Sequence, residues 1–107
     1  MAQNEAAAED GAAWVSAEPA ELLLQVERLG LREVVGQSSQ GRPLRAGLFG
    51  AAMAPPVIVV GGVHGNEPTS VAAVVDLSLE LASTKLPLRR PVWLLPVLNP
   101  DGLLLHA

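Results

Sequence analysis

The residues best suited to chemistry lie in one short segment. His64 and Glu67 are three residues apart in Gly61-Gly62-Val63-His64-Gly65-Asn66-Glu67-Pro68. An imidazole nitrogen and a carboxylate oxygen are both ligands that zinc accepts, and a catalytic zinc commonly takes three protein ligands and a water. If His64 closes a strand and Glu67 opens a helix, both side chains can converge on one ion. The pair therefore indicates part of a zinc site.

The spacing of these two residues leaves plainer interpretations open. A histidine followed three residues later by a glutamate is, in most proteins, a solvated turn. Glu67 alone would complement the positive end of a helix dipole. The glycines are also typical of a phosphate-binding loop, but no Lys-Ser or Lys-Thr pair follows them and Gly-x-Gly-x-x-Gly is not matched.

The residues around this segment predict the elements that position it. Val57 to Val60 is a β-branched run, typical of a strand covered on both faces in a parallel sheet. Apolar residues at three- and four-residue steps predict a helix from Pro68 to Ala82. Val92 to Leu98 is a second apolar strand, in which Pro96 indicates an edge or a bulge. Together they predict a right-handed βαβ unit, whose strand ends are the usual place for active sites.

The residues before this unit predict a leader, a helix and a β-hairpin. Residues 1–15 are rich in alanine and acidic, so we expect a disordered leader. Ser16 is a candidate N-cap for a helix that ends near Gly30. Leu31 to Gly36 and Pro43 to Phe49 are predicted strands joined by a turn.

The predicted fold class is therefore α/β, with a mixed sheet in which a β-hairpin is followed by a βαβ unit. Two helices cannot cover both faces of an apolar sheet, so we expect the fold to be incomplete. We also expect apolar edges left open in this way to favour association.

Three motifs in order resemble those of the zinc metallocarboxypeptidases. His64-Gly65-Asn66-Glu67, placed after a Val/Ile-rich strand, is similar to the family's His-x-x-Glu zinc motif. Upstream, Gly36-x-Ser38-x-x-Gly41-Arg42-Pro43-Leu44 resembles the hairpin that precedes this motif in the family. Downstream, Asn99-Pro100-Asp101-Gly102 resembles the family's Asn-Pro-Asp-Gly turn, which closes the next strand. This resemblance covers residues 30–105. It implies a partial zinc-carboxypeptidase fold, a Zn²⁺ cofactor bound by His64 and Glu67, and a peptide or small amide as substrate.

The resemblance also implies what this chain lacks. In the family, a second histidine ligand, the arginines that hold the substrate carboxylate and the glutamate that activates water all follow the Asn-Pro-Asp-Gly turn. We therefore expect residues 16–107 to be the N-terminal part of a peptidase domain, truncated and inactive alone. His106 is not assigned as the third ligand, because that ligand lies further along in the family.

No catalytic role is assigned to the Asn99 to Gly102 segment, which we interpret as a tight turn. Arg42 is likewise interpreted as a surface residue of the hairpin. Asp76, Glu80 and Asp101 are the remaining acids nearby, and nothing in the sequence directs any of them toward the metal.

Two alternative functions stay open. Deacylases of the aspartoacylase and succinylglutamate desuccinylase group use a His-Gly-Asn-Glu type motif, although the Asn-Pro-Asp-Gly turn favours the carboxypeptidase branch. The other hypothesis is a degenerate fragment without catalysis.

Composition restricts the partners. The net charge is −4 and the basic residues form no stripe, which argues against nucleic acid. Residues 46–63 are uncharged, but Pro55-Pro56 and several glycines argue against a membrane span. The chain has no cysteine, which removes disulfides and thiolate metal sites and fits a reducing compartment, so we expect a cytoplasmic protein. The oligomeric state is not predicted.

Overall fold

The structure is a computed structural model of the 107-residue chain, and it describes residues 18–51, 54–84 and 87–105. These residues form three helices and four strands, in the order α1 (Pro19–Arg28), β1 (Glu33–Gln37), β2 (Pro43–Phe49), β3 (Val57–Val60), α2 (Pro68–Ser83), β4 (Val92–Leu95) and α3 (Pro100–Leu105). None of the helices in these ranges is long and apolar enough to cross a membrane.

Helix α1 begins later than its predicted cap. Its N-cap is Glu18, with Pro19 in the first turn, where the missing N–H of proline costs no hydrogen bond. The candidate cap Ser16 and the expected leader, residues 1–15, lie outside the described residues. The assignment of a domain to residues 16–107 stays a prediction.

The four strands form one mixed sheet in the order β1-β2-β4-β3. Strands β1 and β2 are an antiparallel hairpin, with a register shift between Val34 and Gly36. Strand β2 also pairs antiparallel with β4, whereas β3 and β4 are parallel and joined through α2. The predicted α/β class, with a hairpin followed by a βαβ unit, is confirmed.

Strand β4 is shorter and more central than predicted. It ends at Leu95, and its neighbours on both sides are strands, so the prediction of an edge or bulge at Pro96 was wrong. Pro96 is fully buried just beyond the strand. Because proline has no N–H, it stops the ladder without leaving a buried donor unpaired.

The helices pack together over one face of the sheet. Helix α1 contacts both α2 and α3, and α2 contacts β4. The core of buried residues draws on all three helices and on the segment after β4: Leu22, Val26, Val71, Ala72, Val75, Val97 and Leu103. Leu94 of β4 faces the same side and is fully buried.

The other face of the sheet is open at its β3 edge. Ile58 lies beside Trp93, which lies beside Leu48, so these side chains share a face. Ile58 is 66% exposed and Val60 is 41% exposed. The prediction of a β3 buried on both faces was therefore wrong for the described residues, because β3 is an edge strand and the helices that contact one another lie on the opposite face.

The predicted tight turn at Asn99 to Gly102 is also wrong, because a helix begins there. Helix α3 starts at Pro100, and the Oδ1 of Asn99 accepts a hydrogen bond from the N–H of Gly102 at 2.8 Å. Asparagine is among the best N-caps, and proline is favoured at the first helical position.

Candidate metal centre

The loop of residues 61–67 joins β3 to α2 and carries both predicted ligands. Strand β3 ends at Val60, so His64 lies within the loop and does not close the strand as predicted. Glu67 is the N-cap of α2, and its N–H donates to the carbonyl of His64 at 3.2 Å. The backbone of one turn therefore joins the two residues directly.

Helix α2 holds one side of this loop through Ser70. The Oγ of Ser70 accepts a hydrogen bond from the N–H of Gly62 at 2.9 Å and donates to the carbonyl of Glu67 at 2.9 Å. Gly62 is buried and has a φ of 62°, which a residue with a β-carbon rarely adopts. One hydroxyl thus bridges the start and the end of the loop.

The junction between β4 and α3 holds the other side. The N–H groups of Leu98 and Asn99 donate to the carbonyls of Gly61 and Gly62, each at 2.9 Å. A β-carbon built on Gly65 would overlap the carbonyl group of Gly102 and lie 2.7 Å from its Cα. The loop backbone is therefore packed directly against the first turn of α3.

This backbone framework carries His64 and Glu67 at its surface. Both residues are exposed, and neither side chain has a hydrogen-bond or ion-pair partner within the part of the chain that the structure describes. Glu67 caps α2 without using its side chain. An imidazole nitrogen and a carboxylate oxygen are donors of the kinds that zinc accepts.

The described ranges contain no cluster of three or more candidate ligands for a metal ion. Residues 18–51, 54–84 and 87–105 therefore offer His64 and Glu67 without a third donor beside them. His106, the other histidine of the chain, lies outside the described residues.

Asp101 is the most heavily bonded side chain near the loop. Its Oδ1 accepts from Ser38 Oγ at 2.8 Å and from Arg42 Nη1 at 2.7 Å, and its Oδ2 accepts from the N–H of Gln40 at 3.1 Å. Arg42 is therefore more than the surface residue we predicted, because it forms an ion pair with a carboxylate that is only 16% exposed.

These contacts set the protonation of Asp101. Partial burial acts to raise the pKa of this carboxyl group. The hydrogen bonds from Arg42, Ser38 and the Gln40 backbone, together with the charge of Arg42, outweigh the burial and leave the pKa below its ordinary value. Asp101 is therefore ionised and engaged with the hairpin, which leaves it unsuited to act on a substrate.

Sequence reasoning missed Ser70 and Asp101. For Ser70, the signal was its position in the first turn of a predicted helix, because hydroxyl groups there often bond to nearby backbone. The partners of Asp101 lie 59 to 63 residues away, and local pattern carries no information about such contacts.

The comparison with known proteins identifies the family. The sequence model of the zinc carboxypeptidase family matches residues 27–106, well over half of the chain. The matched region contains the hairpin, the loop with His64 and Glu67, and the start of α3. A search of curated proteins found no match. Because this match covers well over half of the residues, the chain belongs to the zinc carboxypeptidase family.

Proposed function

We propose that His64 and Glu67 are two protein ligands of a zinc ion in a hydrolase of peptide or amide bonds. The observation that carries this proposal is the free imidazole and carboxylate on one braced turn, inside the region that matches the zinc carboxypeptidases. Because each ligand lies about 2 Å from a bound zinc, we expect their metal-binding atoms to approach within about 5 Å of each other.

The chemistry that zinc supplies when bound is Lewis acidity toward a carbonyl and a lower pKa for water. This chain contributes a nitrogen and an oxygen donor, held on a backbone that α2 and α3 brace from both sides.

Asp76, Glu80 and Asp101 do not offer an evident general base. Asp76 and Glu80 are exposed on α2, beyond its first turn. Asp101 is committed to Ser38, Gln40 and Arg42. We therefore propose that the 107-residue chain binds zinc without hydrolysing a substrate by itself.

Zinc titration of the purified chain tests the ligand assignment. Isothermal titration calorimetry on the wild type, His64→Ala and Glu67→Ala measures the affinity of each, and we expect each substitution to abolish measurable binding. Glu80→Ala is the matched control, because it removes an exposed acid from the same helix. His106→Ala tests the remaining histidine. Unchanged affinity in His64→Ala, or loss in Glu80→Ala, contradicts the assignment.

A peptidase assay with zinc present tests the second part of the proposal. We expect no zinc-dependent hydrolysis of short peptides or acylated amino acids by the 107-residue chain. Turnover that His64→Ala and chelation both abolish would mean that the chain contains a complete site, with His106 the first residue to examine.

A further inference from the structure

One side chain, Asp101, joins the turn of the β1–β2 hairpin to α3. Three donors from the turn converge on its carboxylate: the hydroxyl of Ser38, the N–H of Gln40 and the guanidinium of Arg42, at 2.7 to 3.1 Å. Hydrogen bonds to a charged group are stronger than those between neutral groups. The carboxylate therefore holds two elements that are far apart in sequence.

The turn presents these donors from a defined conformation. The N–H of Ser38 donates to the carbonyl of Arg42 at 2.8 Å, and the N–H of Gly41 donates to the carbonyl of Ser38 at 2.9 Å. The N–H of Arg42 returns a bond to Ser38 Oγ at 3.0 Å. Gly41 supplies the φ of 82° that this turn requires.

The first turn of α3, which Asp101 holds against the hairpin, in turn contacts the 61–67 loop. Asp101 is followed by Gly102, whose backbone leaves no room for a β-carbon on Gly65. Asn99, which caps α3 through Gly102, donates its own N–H to the carbonyl of Gly62. The loop is thus bonded at Gly62 and packed at Gly65 against the segment that Asp101 anchors.

We propose that Asp101 is a positioning residue for the 61–67 loop, acting through the first turn of α3 to hold the backbone that presents His64 and Glu67. Its relevance to metal binding rests on the proposed function. Asp101 itself contacts neither residue. Without its carboxylate, α3 loses its bonds to the hairpin, and we expect the loop that packs on Gly102 to open more often.

Amide hydrogen exchange by NMR on the full chain, without metal, measures that opening. In Asp101→Asn we expect the amides of Gly62, Glu67 and Asn99 to exchange about tenfold faster, because local opening sets the exchange rate of such groups. Core amides of α2, such as that of Val75, are expected to change less. Ser38→Ala removes one donor and is the milder variant if Asp101→Asn does not fold.

Arg45→Gln is the matched control, because it breaks the ion pair between Arg45 of β2 and Glu27 of α1 at 3.2 Å, and neither residue bonds to Asp101. It is expected to leave exchange in the loop unchanged. Equal acceleration at all amides in Asp101→Asn and Ser38→Ala, or no acceleration in the loop, would overturn the positioning role.

Zinc affinity of the same variants is the second readout. We expect Asp101→Asn to weaken zinc binding by about tenfold or more, as for outer residues that orient ligands, and Arg45→Gln to leave it unchanged. If the wild type binds no zinc, the proposed function fails, while the exchange rates still decide whether Asp101 holds the loop. Loop exchange that rises with unchanged zinc affinity would overturn the link to metal binding.

Discussion

Glycine is required at position 65 because a neighbouring backbone segment leaves no room for a side chain, and not because of its own dihedral angles. Its φ is not positive, but a β-carbon there would overlap the carbonyl group of Gly102. Neither backbone can move freely, since Gly62 is bonded to Asn99 on one side of this contact and Asn99 caps α3 on the other. Close approach of two chains is a common reason for glycine in a loop.

Gly65→Ala is therefore expected to destabilise the fold. The overlap forces the loop away from α3, and overpacking of this kind costs about 1–3 kcal/mol. Urea unfolding followed by circular dichroism measures the change. Gly36→Ala is the control, because a β-carbon there would meet the Cδ1 of Leu44 at an ordinary 3.6 Å. Equal stability of the two variants would show that the Gly65 contact is not tight.

Asp101 gives the fold an acid-sensitive contact. The pKa of Asp101 in the folded chain lies below its ordinary value, so the folded chain binds this proton more weakly than the unfolded chain. The stabilisation is present above the unfolded pKa and is lost as the pH falls through the lower, folded pKa. Acid weakens the contact in this way, and alkaline conditions do not.

The stability difference between the wild type and Asp101→Asn is accordingly expected to depend on pH. It stays constant above about pH 5 and shrinks below it, because the Asp101 carboxylate of the unfolded wild type takes up its proton before that of the folded chain does. Urea midpoints of both proteins across this range measure the difference. The contributions of the other carboxyl groups cancel in it, because both proteins contain those groups. A constant difference down to about pH 2.5 would contradict the lowered pKa.

At the scale of elements, Ser70 couples the start of α2 to the loop that follows β3. Its hydroxyl is the acceptor for the buried N–H of Gly62 and the donor to the carbonyl of Glu67. A buried N–H without a partner is costly, so this hydroxyl contributes more than its small size suggests.

Ser70→Ala is expected to cost about 1–3 kcal/mol, because the Gly62 N–H loses its acceptor in a buried position. Ser83→Ala removes a comparable hydroxyl, which bonds to Glu80 at the exposed end of the same helix, and is expected to cost less than about 0.5 kcal/mol. Thermal and urea unfolding compare the two variants. Similar losses would indicate that water replaces the Ser70 hydroxyl.

The elements that the sequence predicts best are those with local stop signals. Strands β2 and β3 have the predicted bounds, since β2 ends before Gly50 and β3 lies between Pro56 and Gly61. Strand β4 was predicted too long because Val97 is apolar, yet Val97 is buried by the helices and not by a strand ladder. Asn-Pro favours both a turn and a helix N-terminus, so pattern alone did not separate them.

The candidate site shows the same division between local and distant information. The sequence located His64 and Glu67 on a strand-to-helix connection, and their role as zinc ligands stays a prediction. It did not reveal the contacts of Asp101 with the hairpin, because those partners are brought together only by the tertiary fold. The three motifs that carried the family resemblance, separate in sequence, are in contact in the structure.

At the scale of the whole molecule, the sheet divides the chain into a packed side and an open side. The helices bury Leu94 on one face, whereas Ile58, Val60 and Leu48 are exposed on the other. No charged residue lies within β3. The backbone N–H groups of Val57 and Gly61 donate toward β4, so the backbone groups of the alternate residues, Ile58 and Val60, face the outer edge of the sheet. Such an apolar edge is a template for association.

We therefore expect the 107-residue chain to self-associate at micromolar concentration, and Ile58→Lys to reduce that association. Burial of one isoleucine side chain contributes about 1.5–3 kcal/mol, whereas a lysine at an edge opposes strand pairing. Because Ile58 is mostly exposed, the substitution leaves the core intact. Leu24→Lys is the control, since Leu24 is half exposed on α1, away from the sheet edge. Sedimentation velocity over a range of concentrations measures the assembly. A wild type that stays monomeric, or a Leu24→Lys variant that dissociates as readily as Ile58→Lys, would rule out the β3 edge as the site of association.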